Sequence, residues 1–380
     1  MKVLVTGATG FLGRRLVRQL LDEGMAVRCL VRTAGDLAES DGAAGPGREG
    51  RLEVWEGSLG RIDSRSGVAE GCDVVYHLAA ALRGGTAALF LTNVVATRGL
   101  IAAAGRAGVR RFVLVSSLGV YGTAHLRAGD VLEERCPLDP EPHRRDPYSY
   151  SKIAQEEVAW EGHHRGDVPL AVVRPGVIYG PGRDAITGRV GLRLGDFVVQ
   201  MGGRHRLPYT YVENCARAVL LAGTAAGVVG EAVNVVDDEL PTGREILREH
   251  RRRLGPVRSA TIPRPAISPL SYLCEWYHER SDGQLPAVLT RYKSDAQWKP
   301  LRYDNTKAKA ALGWEPRVGL AEGLRQTFSW DAPAAGDAGR RPGSLERGDD
   351  ARFVPQQCLP AATRPDTRDL LPEVARGPLS

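Results

Sequence analysis

The chain has 380 residues, 43% hydrophobic and 25% charged, with a formal net charge of +6 and basic residues that are nearly all Arg. This is an ordinary globular composition, sufficient for one large or two small domains. The six cysteines show neither a CxxC nor a paired Cys/His spacing, which speaks against a zinc site and against a disulfide framework. The basic run His250-Arg251-Arg252-Arg253 has no interleaved aromatics and reads as a solvated helix face, so no nucleic-acid partner is expected. No apolar run reads as long enough for a membrane span, and Val3–Val5 meets a glycine turn before a signal-peptide core could form; the expectation is a cytoplasmic protein.

In chain order, Val3–Val5 reads as a buried strand. Gly7, Gly10 and Gly13 follow at three-residue spacing. An amphipathic run then places Leu12, Leu16, Leu20 and Leu21 on one face and Arg14, Arg15 and Arg18 on the other. Strand, glycine turn and helix in this order open a dinucleotide-binding unit. Gly7 permits the tight turn, Gly10 lets the backbone approach a pyrophosphate, and Gly13 lets the helix pack close to the strand. The phosphates then sit on the free N–H groups at the helix start.

Ala26–Arg32 reads as a second strand and residues 33–51 as a polar, glycine-rich loop. Leu52–Trp55, Val74–Leu78, Arg111–Ser116, Leu170–Val173 and Ala232–Val236 read as further strands. Between them lie helical stretches: one carrying Asn93 and running to about Ala104, then Tyr148–Trp160, then Glu213–Ala225. Thr242–Leu254 is a further helix, opened by a capping box of Thr242 and Glu245. The alternation predicts an α/β fold, a doubly wound parallel sheet with helices on both faces. Residues 176–208 are expected to be irregular. Residues 263–300, with 306–312 and 320–328, should form a smaller C-terminal lobe. Residues 1–330 thus read as one extended unit, with 1–175 mainly dinucleotide-binding and 176–330 mainly substrate lobe. Residues 331–380, dominated by Pro, Gly, Arg and Asp, read as a disordered tail.

Tyr148 and Lys152 are four residues apart and share one helix face. A phenol with a pKa of about 10 is a poor base at neutral pH; a nearby ammonium stabilises the phenolate, so Tyr148 can exchange a proton with a substrate oxygen. Ser117, after the fifth strand, is placed to hydrogen-bond the same oxygen at the carboxyl end of the sheet. Tyr303 and Lys307 repeat the spacing with neither a strand-end serine nor a glycine turn, and read as a packing coincidence.

With these residues in place, the sequence resembles the extended short-chain dehydrogenase/reductase family, also called the NAD-dependent epimerase/dehydratase family. The resemblance rests on TGATGFLG (6–13), HLAA (77–80), NVVAT (93–97), VSSLGVYG (115–122), YSYSK (148–152), RPGVIYGPG (174–182) and KAKAALGWEPRV (307–318). It implies a Rossmann fold binding NAD(P) and a catalytic triad of Ser117, Tyr148 and Lys152, with Lys152 also on the nicotinamide ribose. It implies a cofactor surface of Gly7, Thr9, Gly10, Phe11, Leu12, Gly13, Leu59, Leu78, Ala79, Ala80, Asn93, Pro175 and Val177, with Asn93 helping to hold the active-site helix as well as the cofactor, or else serving as a helix-start hydrogen bond, and with Ser58 where the family usually has an Asp for the adenine. Arg32 at the end of the second strand points to NADP, with NAD the alternative.

Leu118-Gly119 replaces the acidic pair of sugar-nucleotide dehydratases, and Leu207 replaces the diphosphate-gripping Arg of UDP-sugar epimerases, with Arg206 one place off. The apolar stretch Ser268–Tyr277 reads either as a cover for a hydrophobic substrate or as ordinary packing of the small lobe, and the LTRY (289–292) and KAKAALGW (307–314) motifs are similar to the 3β-hydroxysteroid dehydrogenase and dihydroflavonol reductase branch. The expected activity is hydride transfer between a nicotinamide and a carbonyl or secondary alcohol of a small, fairly apolar molecule. The alternatives are a sugar-nucleotide epimerase and a non-catalytic cofactor sensor; a homodimer is the expected assembly.

Overall fold

The computed structural model describes residues 1–35, 50–281 and 289–331. The expected loop at 33–51 therefore lies largely outside the described residues, as do part of the 263–300 lobe and all but the first residue of the 331–380 tail.

The buried run Lys2–Thr6 forms β1, and Phe11–Asp22 forms α1, whose Leu12, Leu16, Val17, Leu20 and Leu21 are buried. Ala26–Val31 is β2, Leu52–Glu56 β3 and Val74–His77 β4. The helix α2 runs over Thr86–Arg106 and contains a π-helical turn at Leu91–Val95. Arg111–Val115 is β5 and Val131–Leu132 β6. Pro147–His164 is α3, opened by Asp146, whose side chain accepts from the Ser149 N–H, and by Pro147 in the first turn. Leu170–Pro175 is β7. The main sheet is parallel throughout and has the order β12-β7-β5-β4-β1-β2-β3, where β12 is Glu231–Val235. The doubly wound prediction holds. The order reverses between β1 and β4, which is where such sheets open a ligand crevice.

Residues 176–208 are not irregular, as expected from sequence, but contain three strands. Val177–Tyr179 (β8) pairs with Tyr209–Tyr211 (β11). Gly191–Leu194 (β9) and Phe197–Met201 (β10) join Arg258–Ile262 (β13) in a separate three-stranded sheet. Strands this short, interrupted by Gly and Arg, carry too few alternations to show a period. Val212–Thr224 (α4) packs against α1 and the main sheet, so the chain returns to the nucleotide-binding layer before Gly243–Leu254 (α5) with its capping box. Arg264–Arg280 (α6) and Arg291–Trp298 (α7) then build the lobe with β13. The second Tyr/Lys spacing falls at Arg302–Tyr303 (β14), which pairs with β6, and Thr306–Leu312 (α8). Leu320–Asp331 (α9) ends the described chain.

The helix over Thr86–Arg106 is, by length and composition, apolar enough to cross a membrane, which corrects the reading that no run is long enough; 44% of its apolar window is buried in the fold. Its apolar side packs against the sheet, with Leu100, Ile101, Ala103 and Ala104 in the cluster around Val75 and Phe112.

Candidate active site

The glycine turn closes on itself by backbone contacts. Gly7 has φ +73°, and a Cβ on it would meet the Ala79 N–H at 2.7 Å. The loops after β1 and β4 therefore touch, and Gly7 is required there both for its backbone angle and for the approach. A Cβ on Gly13 would lie 2.0 Å from the Gly7 carbonyl oxygen, so Gly13 is needed because α1 packs on the turn itself, more than on the strand. The helix starts on Gly10 with no side-chain cap and no acidic residue in its first turn. Its leading N–H groups thus face the crevice with the positive dipole end, a cradle suited to a dinucleotide pyrophosphate. Arg14 folds back to donate to the Thr9 carbonyl at 2.7 Å, bracing the turn.

On the β4 side, Leu78, Ala79 and Ala80 are half-buried at the crevice edge. Asn93 is fully buried in the π-helical turn of α2. Its Oδ1 accepts from the Ala81 N–H at 2.7 Å, and its Nδ2 donates to the Ala81 carbonyl at 3.0 Å and to Ser151 Oγ at 2.9 Å. The Asn93 side chain therefore has no free edge for a cofactor, a correction to its predicted contact. It pins the cofactor edge to the Tyr148 helix instead.

Ser117 follows β5. Its Oγ accepts from the Gly119 N–H at 3.0 Å, leaving the hydroxyl proton free to donate outward. Tyr148 is half-buried in the first turn of α3. Burial pushes its phenol up to about 12; the Arg183 guanidinium opposes this and Asp146 adds to it. Lys152 is 2% exposed. Its ammonium donates to the Val115 carbonyl at 2.9 Å and to Gln155 Oε1, not to Tyr148. Burial lowers Lys152 to about 8, with Glu156 partly compensating. The expected direct stabilisation of a Tyr148 phenolate by Lys152 is thus corrected. The ammonium is held between the Val115 carbonyl of β5 and Gln155 of its own helix, and the cation acting on the phenol is Arg183. Sequence reasoning missed Arg183; its position just after the YGPG turn was the available signal. Its guanidinium lies 5.4 Å from the Phe11 ring centroid, over the glycine turn.

Behind the helix a buried polar layer holds α3 to the sheet. Ser116 Oγ donates to Glu156 at 2.6 Å, Arg174 Nε reaches the same carboxylate at 3.1 Å, and Arg174 Nη1 donates to the Tyr121 hydroxyl at 2.7 Å. Next along the chain, Pro175 ends β7 as a buried residue, and the half-buried Val177 opens β8.

Arg32 lies just past β2 and is exposed. Glu56 at the end of β3 pairs in register with Val31 and accepts from the Ala34 N–H at 2.5 Å, so the adjoining carboxylate is engaged. Ser58 is exposed and does not use its hydroxyl to cap the short turn at Leu59. Leu207 is buried in the core, while Arg206 is tied to the Leu240 carbonyl at 2.7 Å and to Glu245 at 3.0 Å. Neither residue offers a free guanidinium to a diphosphate. In α6, Ile267 and Ser271 are buried, but Tyr272, Leu273, Trp276 and Tyr277 are exposed. Lys307 pairs with Glu231 at 2.7 Å and Tyr303 packs with Leu118 and Leu132, so the second Tyr/Lys spacing serves packing. Among the described residues no cluster of His, Cys, Asp and Glu could hold a metal ion.

A parallel doubly wound sheet with a glycine cradle at its switch point, and a Tyr/Lys helix beside the strand-end serine, defines a dinucleotide-binding oxidoreductase scaffold. The sequence profile of the NAD dependent epimerase/dehydratase family matches residues 3–235. The chain belongs to that family and is an NAD(P)-dependent enzyme of the extended short-chain dehydrogenase/reductase type. It is 30% identical over 345 residues to the uncharacterized protein YbjS of Escherichia coli K12, covering 87% of this chain and 97% of that one. It is 28% identical over 347 residues to the decarboxylating sterol-4-alpha-carboxylate 3-dehydrogenase ERG26 of Saccharomyces cerevisiae, covering 86% and 97%. In fold it is similar to the UDP-glucuronic acid 4-epimerase of Bacillus cereus, solved in complex with NAD, with a TM-score of 0.65 at 21% identity over 87% and 98% of the chains.

Proposed function

We propose that the protein reduces the carbonyl group of a small, fairly apolar molecule at the expense of NADPH, with Ser117, Tyr148 and Lys152 as its catalytic residues. The observation that carries the reading is the convergence of Ser117 and the Tyr148 helix at the carboxyl end of β5, beside the crevice opened by Gly7 and Ala79. Gly7, Thr9, Gly10, Phe11, Leu12 and Gly13 would hold the pyrophosphate, Ser58 and Leu59 the adenine, and Leu78–Ala80, Pro175 and Val177 the nicotinamide half. The bound nicotinamide supplies the hydride. Ser117 orients the carbonyl oxygen through its free hydroxyl proton. Tyr148 O–H gives that oxygen its proton. A phenol held near 12 is fully protonated at neutral pH, which suits an acid in the reductive direction better than a base in the oxidative one. Lys152 keeps a positive charge beneath the site.

The preference for NADPH rests on Arg32, an exposed guanidinium at the end of β2 able to grip a 2′-phosphate with two hydrogen bonds. The preference for an apolar carbonyl substrate over a sugar nucleotide rests on Leu207 and Arg206, and it accords with the sterol substrate in the name of the yeast relative. The test is nicotinamide absorbance against a panel of apolar ketones and hydroxy acids, with UDP titrated calorimetrically alongside. Ketone-dependent oxidation of NADPH with weak UDP binding is the expected result. Tight UDP binding with no ketone turnover would make the epimerase reading the better one.

A further inference from the structure

Gln155 is fully buried on α3, three residues after Lys152. The Lys152 ammonium has donors only, so the group it meets on Gln155 is the amide oxygen, and the Gln155 NH2 must point the other way. That NH2 donates to Thr97 Oγ1 at 2.8 Å and lies 3.2 Å from His77 Nε2. The Thr97 hydroxyl donates to the Asn93 carbonyl at 2.6 Å, and its Oγ1 lies 2.8 Å from His77 Nε2. His77 Nδ1 in turn is hydrogen-bonded to Thr6 Oγ1 at 2.7 Å. Thr6 is the last residue of β1, and its Oγ1 also accepts from the Ala79 N–H at 3.3 Å, at the point where the two crevice loops meet. One wired path thus runs from the glycine-turn edge through His77, Thr97 and Gln155 to Lys152.

We propose that Gln155 is a positioning residue that aims the Lys152 ammonium and ties it to the β1/β4 edge of the cofactor crevice. The proposal rests on the reading of Lys152 as part of the reacting site. The charged and titratable groups around the ammonium are few. Glu156 shares its helix and is itself held by Arg174 from β7; His77 faces it from β4; Tyr148 lies a turn before it. Burial, with the Lys152 charge second, lowers His77 to about 3, so the imidazole stays neutral throughout the working range and contributes a fixed dipole. Among the described residues, Gln155 is thus the one uncharged side chain that accepts directly from the ammonium. An acceptor of this kind favours the protonated lysine against the desolvation that lowers it.

The test is a titration of ε-13C-labelled lysine in the full-length, cofactor-free protein, with the Lys152 signal assigned as the one missing from Lys152→Met. Gln155→Met keeps the length of the side chain and removes the acceptor; it should lower the Lys152 midpoint by about one pH unit, the scale of one charge-assisted hydrogen bond. Gln155→Glu places a carboxylate there and should raise the midpoint. The basic limb of kcat/KM should move in the same two directions, which a space-filling role would not produce. Identical midpoints in both variants would overturn the proposal. Full activity in Lys152→Met would instead remove the catalytic reading of Lys152, and the titration would still decide the role of Gln155.

Discussion

Asn93 Nδ2 donates to Ser151 Oγ at 2.9 Å although the two residues are 58 positions apart in the chain, and Ser151 passes the bond on to the Tyr148 carbonyl at 2.8 Å. The same amide holds both backbone groups of Ala81. A single buried side chain therefore ties the loop after β4 to the helix carrying Tyr148, the residue proposed to deliver the proton.

Asn93→Ala should leave the Ala81 backbone and Ser151 without these partners. The expected result is a loss of roughly 10- to 100-fold in kcat/KM, because small displacements of reacting groups are costly. Stability should fall by about 1–3 kcal/mol for the unsatisfied buried groups. Steady-state kinetics together with urea unfolding measures both. A loss of stability with unaltered kcat/KM would show that the staple does not govern the site.

The pH dependence follows from two shifts of opposite sign. Tyr148, pushed up to about 12, stays protonated across the working range, while Lys152, lowered to about 8, does not stay charged. In the reductive direction kcat/KM should be level below about pH 8 and fall through one ionisation as Lys152 loses its proton. The same lysine affects stability. Its folded value lies below its ordinary 10.5, so between about 8 and 10.5 the unfolded chain binds more protons and stability from this group rises with pH. Lys152→Met should flatten that rise, as read by chemical denaturation at a series of pH values.

Gly13→Ala puts a methyl group 2.0 Å from the Gly7 carbonyl oxygen, a backbone atom with nowhere to move. Overpacking of this kind costs about 1–3 kcal/mol, and the turn must open to relieve it. The melting temperature and the cofactor affinity should fall together. A variant that keeps its affinity would mean that α1 can shift without disturbing the cradle.

Arg32→Asp should weaken NADPH at least tenfold and leave NADH level or improved, since charged hydrogen bonds to a phosphate contribute roughly 1.5–3 kcal/mol. The readout is the ratio of kcat/KM for the two cofactors in wild type and variant. Glu56, already accepting from Ala34, is the residue to examine if the wild type prefers NADH.

The fold was legible where the residues repeat at short range. The buried strands β1, β4, β5 and β7, the glycine turn and the Thr242/Glu245 capping box are local patterns, and the structure reproduces them. The strands in 176–208 were not legible, because three to five residues interrupted by Gly191 and Gly195 leave no period, and their pairing with β11 and β13 is set by tertiary contact. The triad could be named from order alone, but the direction of the Lys152 ammonium could not. It depends on Gln155, Thr97 and His77, which meet only once α2, α3 and β4 are packed. The family resemblance has Asn93 helping to hold the active-site helix, and its partners there, Ala81 and Ser151, are visible only in the packed structure.

The central claim is that Tyr148 delivers the proton in a carbonyl reduction, and the most direct measurement is a comparison of wild type with Tyr148→Phe. NADPH oxidation is followed on the best apolar ketone substrate and cofactor affinity is measured by fluorescence titration. Removing the hydroxyl keeps the ring and its packing, so NADPH affinity should stay within about twofold while turnover falls by about 10²–10⁴, the range of a lost general acid. Tyr303→Phe, on the packing side of the molecule, should leave both unchanged. A Tyr148→Phe enzyme that still reduces the ketone at the wild-type rate would contradict the account.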